Sequence, residues 1–208
     1  MSGRMVANFS DALPEALVEP GLFHYLHDLF PDVIVPDRSL YGPFRPDPCG
    51  RWAPAIRNIA WYRPELTGEP WSSMSVYFPD AQWLLSRHTE GGNNTYFFAA
   101  KGGHNDEPHN HNDIGHFILH RNGETFLADM GAGLYTADYF GPKRYDIICN
   151  ASFGHSVPIV GGKGQRAGRD AKAVVLKAVT GEREDVFALE LSAAYPESAL
   201  TRLERTFV

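Results

Sequence analysis

From Ser73 onward, apolar and polar residues alternate in short runs. Met74–Phe78 alternates, Asp80–Arg87 fits a strand or a short helix, and Thr95–Ala100 is rich in β-formers. His116–His120 and Thr125–Asp129 flank Asn122-Gly123, a dipeptide favoured in tight hairpin turns. Further strands are predicted at 155–160, 173–179, 185–191 and 201–208. Many short strands separated by turns predict a mainly β fold, an antiparallel β-sandwich preceded by a short α-helical segment. That segment runs from Ser10 to Phe30. Ser10 or Asp11 can cap a helix through Val18, Pro20-Gly21 breaks it, and Leu22, Phe23, Leu26, Leu29 and Phe30 share one face of the continuation. His24 and His27 fall on the polar edge of that helix. Between Pro31 and Trp71, prolines recur at 31, 36, 43, 46, 48, 54, 64 and 70 among aromatics, which reads as an ordered connection rather than a flexible linker. The expected organisation is 1–72 as helical tail plus connection and 73–208 as sandwich. The alternation of 201–208 runs to the last residue, so the sandwich is expected to continue beyond it.

Composition narrows the class. Of the 208 residues 43% are hydrophobic, ample for a core, and the formal charge of −6 argues against a general nucleic-acid role. Lys143, Arg144, Lys163, Arg166 and Arg169 nevertheless form a local basic cluster that can face an acidic ligand. Cys49 and Cys149 allow one disulfide, with nothing in their spacing to require it. No apolar run is long enough for a membrane span. Residues 1–20 lack the apolar stretch of a signal peptide.

The candidate chemistry is concentrated in Gly102–Asp129. Five of the nine histidines lie between His104 and His120, interleaved with Asn and acidic residues. His109 and His111, two apart, point to the same side of an extended chain. Two imidazoles and a carboxylate make three ligands of a zinc site. Asp129 and Asp113 are the carboxylate candidates, and His155 is the candidate third histidine. A two-residue Asn122-Gly123 turn sets His116 opposite Asp129. A three-residue bulged turn sets Gly115 there instead, and Gly115 is the natural place for the chain to bend. After Asp129 comes a Gly-rich loop carrying Tyr135, Tyr139, Phe140 and Tyr145. Tyrosines there can stack on sugars, move protons, or simply cover the end of the sandwich.

The run HNHNDIGHFIL, FLADMGAG, YFG and HSVPIV resembles the C-terminal domain of the heparinase II/III-like polysaccharide lyases, most specifically between Phe97 and Gln165. The resemblance implies an α/α toroid before the sandwich, so 1–72 would be the tail of that toroid and the missing N-terminal toroid the expected companion. It implies zinc at His111, Asp129 and His155, a catalytic role for His109, and a tyrosine acid for which Tyr135 is the nearest match. Asn110, Tyr139, Arg144 and Tyr145 are then candidates for substrate contact. The implied reaction is β-elimination on an acidic, uronate-containing polysaccharide of heparin, heparan or alginate type, in a periplasmic or secreted setting. The family's toroid asparagine, tyrosine and histidine have no match here, so the chain alone is not expected to hold the whole machinery. His116 also departs from the family pattern, where a small residue or Ser precedes the Phe.

Two other readings fit parts of the sequence. Gly103, His109, His111, His116 and Gly123 nearly follow the first cupin motif, which would imply a metal-dependent β-barrel enzyme using iron, manganese or nickel. No second cupin motif accompanies it. A non-catalytic, zinc-stabilised carbohydrate-binding fragment is the third reading.

Overall fold

The computed structural model describes residues 3–47, 49–90 and 94–208; Pro48, one of the prolines of the connection, lies outside them. The chain forms two compact units. One is Glu15–Ser72, and the larger joins the segment ending at Pro14 to Ser73–Val208. The sequence grouped that first segment with the helices; it packs with the strands instead.

The larger unit is an antiparallel sandwich. Strands β1 (Met74–Phe78), β2 (Trp83–Glu90), β3 (Asn94–Lys101), β5 (Phe117–Arg121) and β6 (Glu124–Leu127) form a five-stranded sheet in the order β1-β2-β3-β5-β6. Strands β8 (Val174–Val179), β9 (Val186–Glu190) and β10 (Glu204–Phe207) form a second sheet in the order β10-β9-β8. The short β4 (His104–Asn105) pairs with β7 (Gly168–Lys172). Leu84 and Ala100 of the first sheet pack with Phe187, Leu189, Leu191 and Ile114 to make the main core. Alternate residues of β3 turn the other way. Phe97 and Ala99, with Ile118, bury Phe9 of the N-terminal segment in a second core. The five-stranded sheet is therefore covered on both faces, and one cover is the segment that carries Asp11.

The hairpin turn is the two-residue kind. Asn122 and Gly123 both take positive φ, at 54° and 81°. His120 pairs with Thr125 and Arg121 with Glu124, but a bulge then sets Leu119 opposite Leu127. Gly115, with φ of 81°, turns the chain into β5.

Two expected elements do not form. Residues 155–160 form no strand; a 3₁₀ turn at Ser152–Gly154 delivers His155 instead. The Ser10–Val18 helix does not form either. Ser10 takes a left-handed φ of 62°, and Asp11 spends its carboxylate elsewhere.

In the smaller unit, α1 (Pro20–Leu29) begins at the Pro20-Gly21 that was read as a breaker. Proline fits the first helical position because that N–H has no partner to lose. Helix α2 (Ala53–Trp61) contacts α1, and Tyr25 stacks on Trp61 at 4.5 Å. His24 is buried rather than marginal: Nδ1 accepts from the Arg63 N–H at 2.8 Å and Nε2 meets the Tyr41 hydroxyl at 3.2 Å. Leu22, Leu29 and Phe30 are exposed. Among the described residues no helix is long and apolar enough to cross a membrane, and Cys49 and Cys149 are both free.

Candidate metal centre and the face beside it

His111, Asp129 and His155 converge, with one ligand atom from each within 4.8 Å of the others. Each arrives by a different route. His111 sits in the loop between β4 and β5, held by the Asn112 N–H bonding to the Asn150 carbonyl and by Ser152 Oγ donating to the Asn112 carbonyl at 2.6 Å. Gln165 clamps the same loop from below, accepting from the Ile114 N–H and donating to the Ile114 carbonyl. Asp129 follows β6, and its Oδ1 accepts from the Gly131 N–H at 2.7 Å. His155 follows the 3₁₀ turn, and its Nε2 donates to the Cys149 carbonyl at 2.9 Å.

The hydrogen bonds fix which nitrogen is free. His155 donates through Nε2, so Nδ1 keeps its lone pair. His111 Nε2 faces Asp11 Oδ1 at 3.0 Å, and a carboxylate can only accept, so Nδ1 of His111 also keeps its lone pair. Both Nδ1 atoms, Asp129 Oδ2 and His116 Nε2 are buried without a hydrogen-bond partner. Buried polar atoms are normally satisfied, and two imidazole nitrogens and a carboxylate oxygen left unsatisfied together suit a cation. The two imidazoles and one carboxylate match a zinc donor set, and Asp11 behind His111 is the usual kind of outer support.

His116 plays a different part. Its Nδ1 accepts from the Ser156 N–H at 2.9 Å, so Nε2 carries the proton and points at Asp129 Oδ2, 3.2 Å away. It faces a candidate ligand atom as a charge partner and is not itself in the convergent set. The convergent set among the described residues thus keeps His111 from the cupin-like spacing but neither His109 nor His116.

Electrostatics follow from burial and these contacts. Burial works against charge on Asp129, but His116 and His155 more than offset it and hold the carboxyl below its usual range. Burial pushes His155 down, but Asp129, Asp113 and the Cys149 carbonyl together raise it. Burial lowers His111 despite the hydrogen bond to Asp11, which favours the neutral ring a metal needs. Asp11 is lowered to about 2: burial opposes this, while hydrogen bonds from Tyr139, His111, His109 and Tyr135 produce it.

Beside the buried centre lies a more open face. The His109 side chain is 56% exposed, with Nδ1 donating to Asp11 Oδ2 at 2.8 Å. Its φ of 60° is uncommon for a residue with a side chain. Tyr135, also exposed, donates its hydroxyl to the same oxygen at 3.0 Å. The other residues proposed for substrate contact form the support. Tyr139 is fully buried and bonds to Asp11 Oδ1. Arg144 donates to the carbonyls of Tyr139 and Asn110 at 2.7 and 2.8 Å, and Tyr145 donates to Asn110 Oδ1 at 3.1 Å. Asn110 is buried. Asp113, the other carboxylate candidate, pairs with Lys101 at 2.7 Å. A groove of about 1140 Å³ in this unit lies elsewhere, and none of the convergent histidines lines it.

Sequence reasoning missed Asp11. It is far from the histidines in the chain, and its neighbourhood resembled a helix start. A lone aspartate before Ala-Leu-Pro carries no signal of its own.

No family model matches the chain, and no curated protein matches it. Solved structures do. The heparan sulfate lyase of Pedobacter heparinus superposes with a TM-score of 0.65 at 18% identity, covering 99% of this chain and 28% of that one. A heparinase III gene product gives 0.62 at 16% identity, covering 96% and 26%. Another heparinase III structure gives 0.60 at 17% identity, covering 97% and 28%. The chain therefore spans about a quarter of the length of the structures it matches. What it shares with them is architecture: this is a chain of heparinase III-like fold.

Proposed function

We propose that this chain is the sandwich portion of a polysaccharide lyase that cleaves an acidic, uronate-containing glycan by β-elimination, with zinc at His111, Asp129 and His155. The observation that carries the reading is Asp11. One carboxylate joins a buried cluster of free ligand atoms to the exposed His109 and Tyr135. When bound at His111, Asp129 and His155, zinc would supply a fixed positive charge; these residues would then tie three segments together and hold the loop presenting His109.

The residues can divide the reaction between them. Elimination transfers the proton on the carbon bearing the carboxylate to a base, which in this reading lies outside the chain. The electron pair left behind forms the new C=C bond as the neighbouring glycosidic C–O bond breaks, and the leaving oxygen takes a proton. Negative charge builds on the substrate carboxyl group before that bond breaks and must be stabilised. His109 gives Nδ1–H to Asp11, which leaves Nε2 to hold or accept a proton at the substrate carboxyl group. Tyr135, anchored by the same oxygen, is placed to protonate the leaving oxygen. Groups outside this chain would complete the site, together with an N-terminal toroid, and the setting is periplasmic or secreted.

The test combines metal analysis with product detection. About one zinc per chain, as a His₂Asp site requires, is expected in the wild type and should be lost in His111→Ala. Heparan sulfate and alginate are then offered to the zinc-loaded sandwich joined to the toroid that completes the site in this reading, and the ultraviolet absorbance of unsaturated uronate is followed. Product that disappears in His109→Ala supports the lyase. Zinc and glycan binding without product supports the carbohydrate-binding fragment, and iron, manganese or nickel in place of zinc revives the cupin-like reading.

A further inference from the structure

Asp11 carries more contacts than a simple outer support of one ligand needs. Its side chain is 5% exposed and its two oxygens are used separately. Oδ1 accepts from His111 Nε2 at 3.0 Å and from the Tyr139 hydroxyl. Oδ2 accepts from His109 Nδ1 at 2.8 Å and from the Tyr135 hydroxyl at 3.0 Å, with the Arg144 guanidinium 3.7 Å away. One oxygen thus serves the buried side and the other the exposed pair.

We infer that Asp11 is a positioning residue shared by the two halves of the site, so that metal occupancy and the placement of His109 and Tyr135 are coupled through one carboxylate. The inference rests on the zinc reading above. Its physical basis is the tautomer. Asp11 holds the proton on His111 Nε2 and keeps the Nδ1 lone pair available. A cation at Nδ1 polarises the ring and strengthens the Nε2–H bond to Oδ1. That tightens the carboxylate, and with it the groups held on Oδ2. His109 depends on this hold, because its left-handed backbone is retained only where its surroundings determine it.

A purely structural aspartate would bind the segment ending at Pro14 to the sandwich without linking zinc to His109, so the test reads both ends. Zinc affinity is measured by chelator competition on the wild-type chain, Asp11→Asn and Asp11→Ala. In parallel, the ring signals of His109 are followed by NMR with and without zinc. Asparagine has one carbonyl oxygen where aspartate has two acceptors, so it can serve His111 or His109 but not both. Zinc affinity is expected to fall about 10–100-fold in Asp11→Ala. The His109 ring signals are expected to shift with zinc in the wild type and to stop responding in both variants, because Asp11→Asn can keep only one of the two bonds. If Asp11→Ala does not fold, the His109 response in the near-isosteric Asp11→Asn decides. Unchanged zinc affinity in Asp11→Ala, or His109 signals that still follow zinc in either variant, overturns the coupling alone. A wild-type chain that binds no zinc overturns the reading beneath it as well.

Discussion

His116 Nε2 lies 3.2 Å from Asp129 Oδ2 where the β5–β6 hairpin opens, with both side chains fully buried. The Ser156 N–H on the other ring nitrogen makes His116 a committed donor. Replacing it by alanine leaves an ionised, buried carboxylate short of a partner. In zinc-free protein, His116→Ala is expected to cost about 3–5 kcal/mol by urea unfolding. Because His116 is not a ligand, zinc stoichiometry should survive, whereas His111→Ala should abolish it. Loss of stoichiometric zinc in His116→Ala would mean that the ring binds the metal after all.

Much of this site was legible in the sequence. Asn122-Gly123 set the two-residue turn, but the register it implied, with His116 paired across from Asp129, is lost at the bulge between Leu119 and His120, and the two side chains meet beyond the paired strands. The combination of His111, Asp129 and His155 also emerged, since loop and hairpin are close in sequence. What was hidden depends on long-range packing. Asp11 reaches the cluster only because Phe9 is buried against Phe97, Ala99 and Ile118, and nothing near residue 11 announces that. His155 is delivered by a 3₁₀ turn rather than by a strand, and only Val160 at the end of its run pairs, in a single bridge with Lys163. His24 reads as the polar edge of an amphipathic helix, yet Tyr41 and Arg63 satisfy both ring nitrogens in the interior.

Lys101 and Asp113 form an ion pair 2.7 Å apart, with side chains 2% and 0% exposed. Asp113 Oδ2 has no hydrogen bond, so Lys101 is the main compensation for that charge. Lys101→Met should therefore cost about 3–5 kcal/mol, and adding Asp113→Asn should recover part of it by removing the stranded charge. A double-mutant cycle measures the coupling. Additive losses would show that the pair does not act as a unit.

His120 provides a pH test away from the metal ligands. Nδ1 accepts from the Thr125 hydroxyl at 2.9 Å, and Nε2 donates to the Val6 carbonyl at 3.2 Å, an arrangement that needs the neutral ring. Burial lowers its pKa, with the Val6 carbonyl only partly opposing. The unfolded chain therefore binds the proton first as pH falls below the ordinary histidine value of about 6.5, and the folded state loses stability from there downward. This one group contributes at most about 1.4 kcal/mol per pH unit. Urea midpoints between pH 7 and 5 should fall less steeply for His120→Gln, which keeps a donor for Val6 but does not titrate. Equal slopes would show that His120 does not contribute.

Gly131 is the position where backbone geometry holds the two aspartates in place. Its φ is 64°, its N–H donates to Asp129 Oδ1, and a Cβ there would lie 2.6 Å from the Ala12 carbonyl oxygen. A methyl group cannot be accommodated by a rotamer change, since the obstacle is backbone. Either the segment bearing Asp11 moves away or the loop after Asp129 does. Gly131→Ala should thus cost about 1–3 kcal/mol in strain. It should also weaken zinc binding, because both movements disturb the centre, one through Asp11 behind His111 and the other through Asp129 itself. Chelator competition separates this from general destabilisation. A variant that loses stability but keeps wild-type zinc affinity would show that the close approach at Gly131 supports the fold without tuning the metal centre.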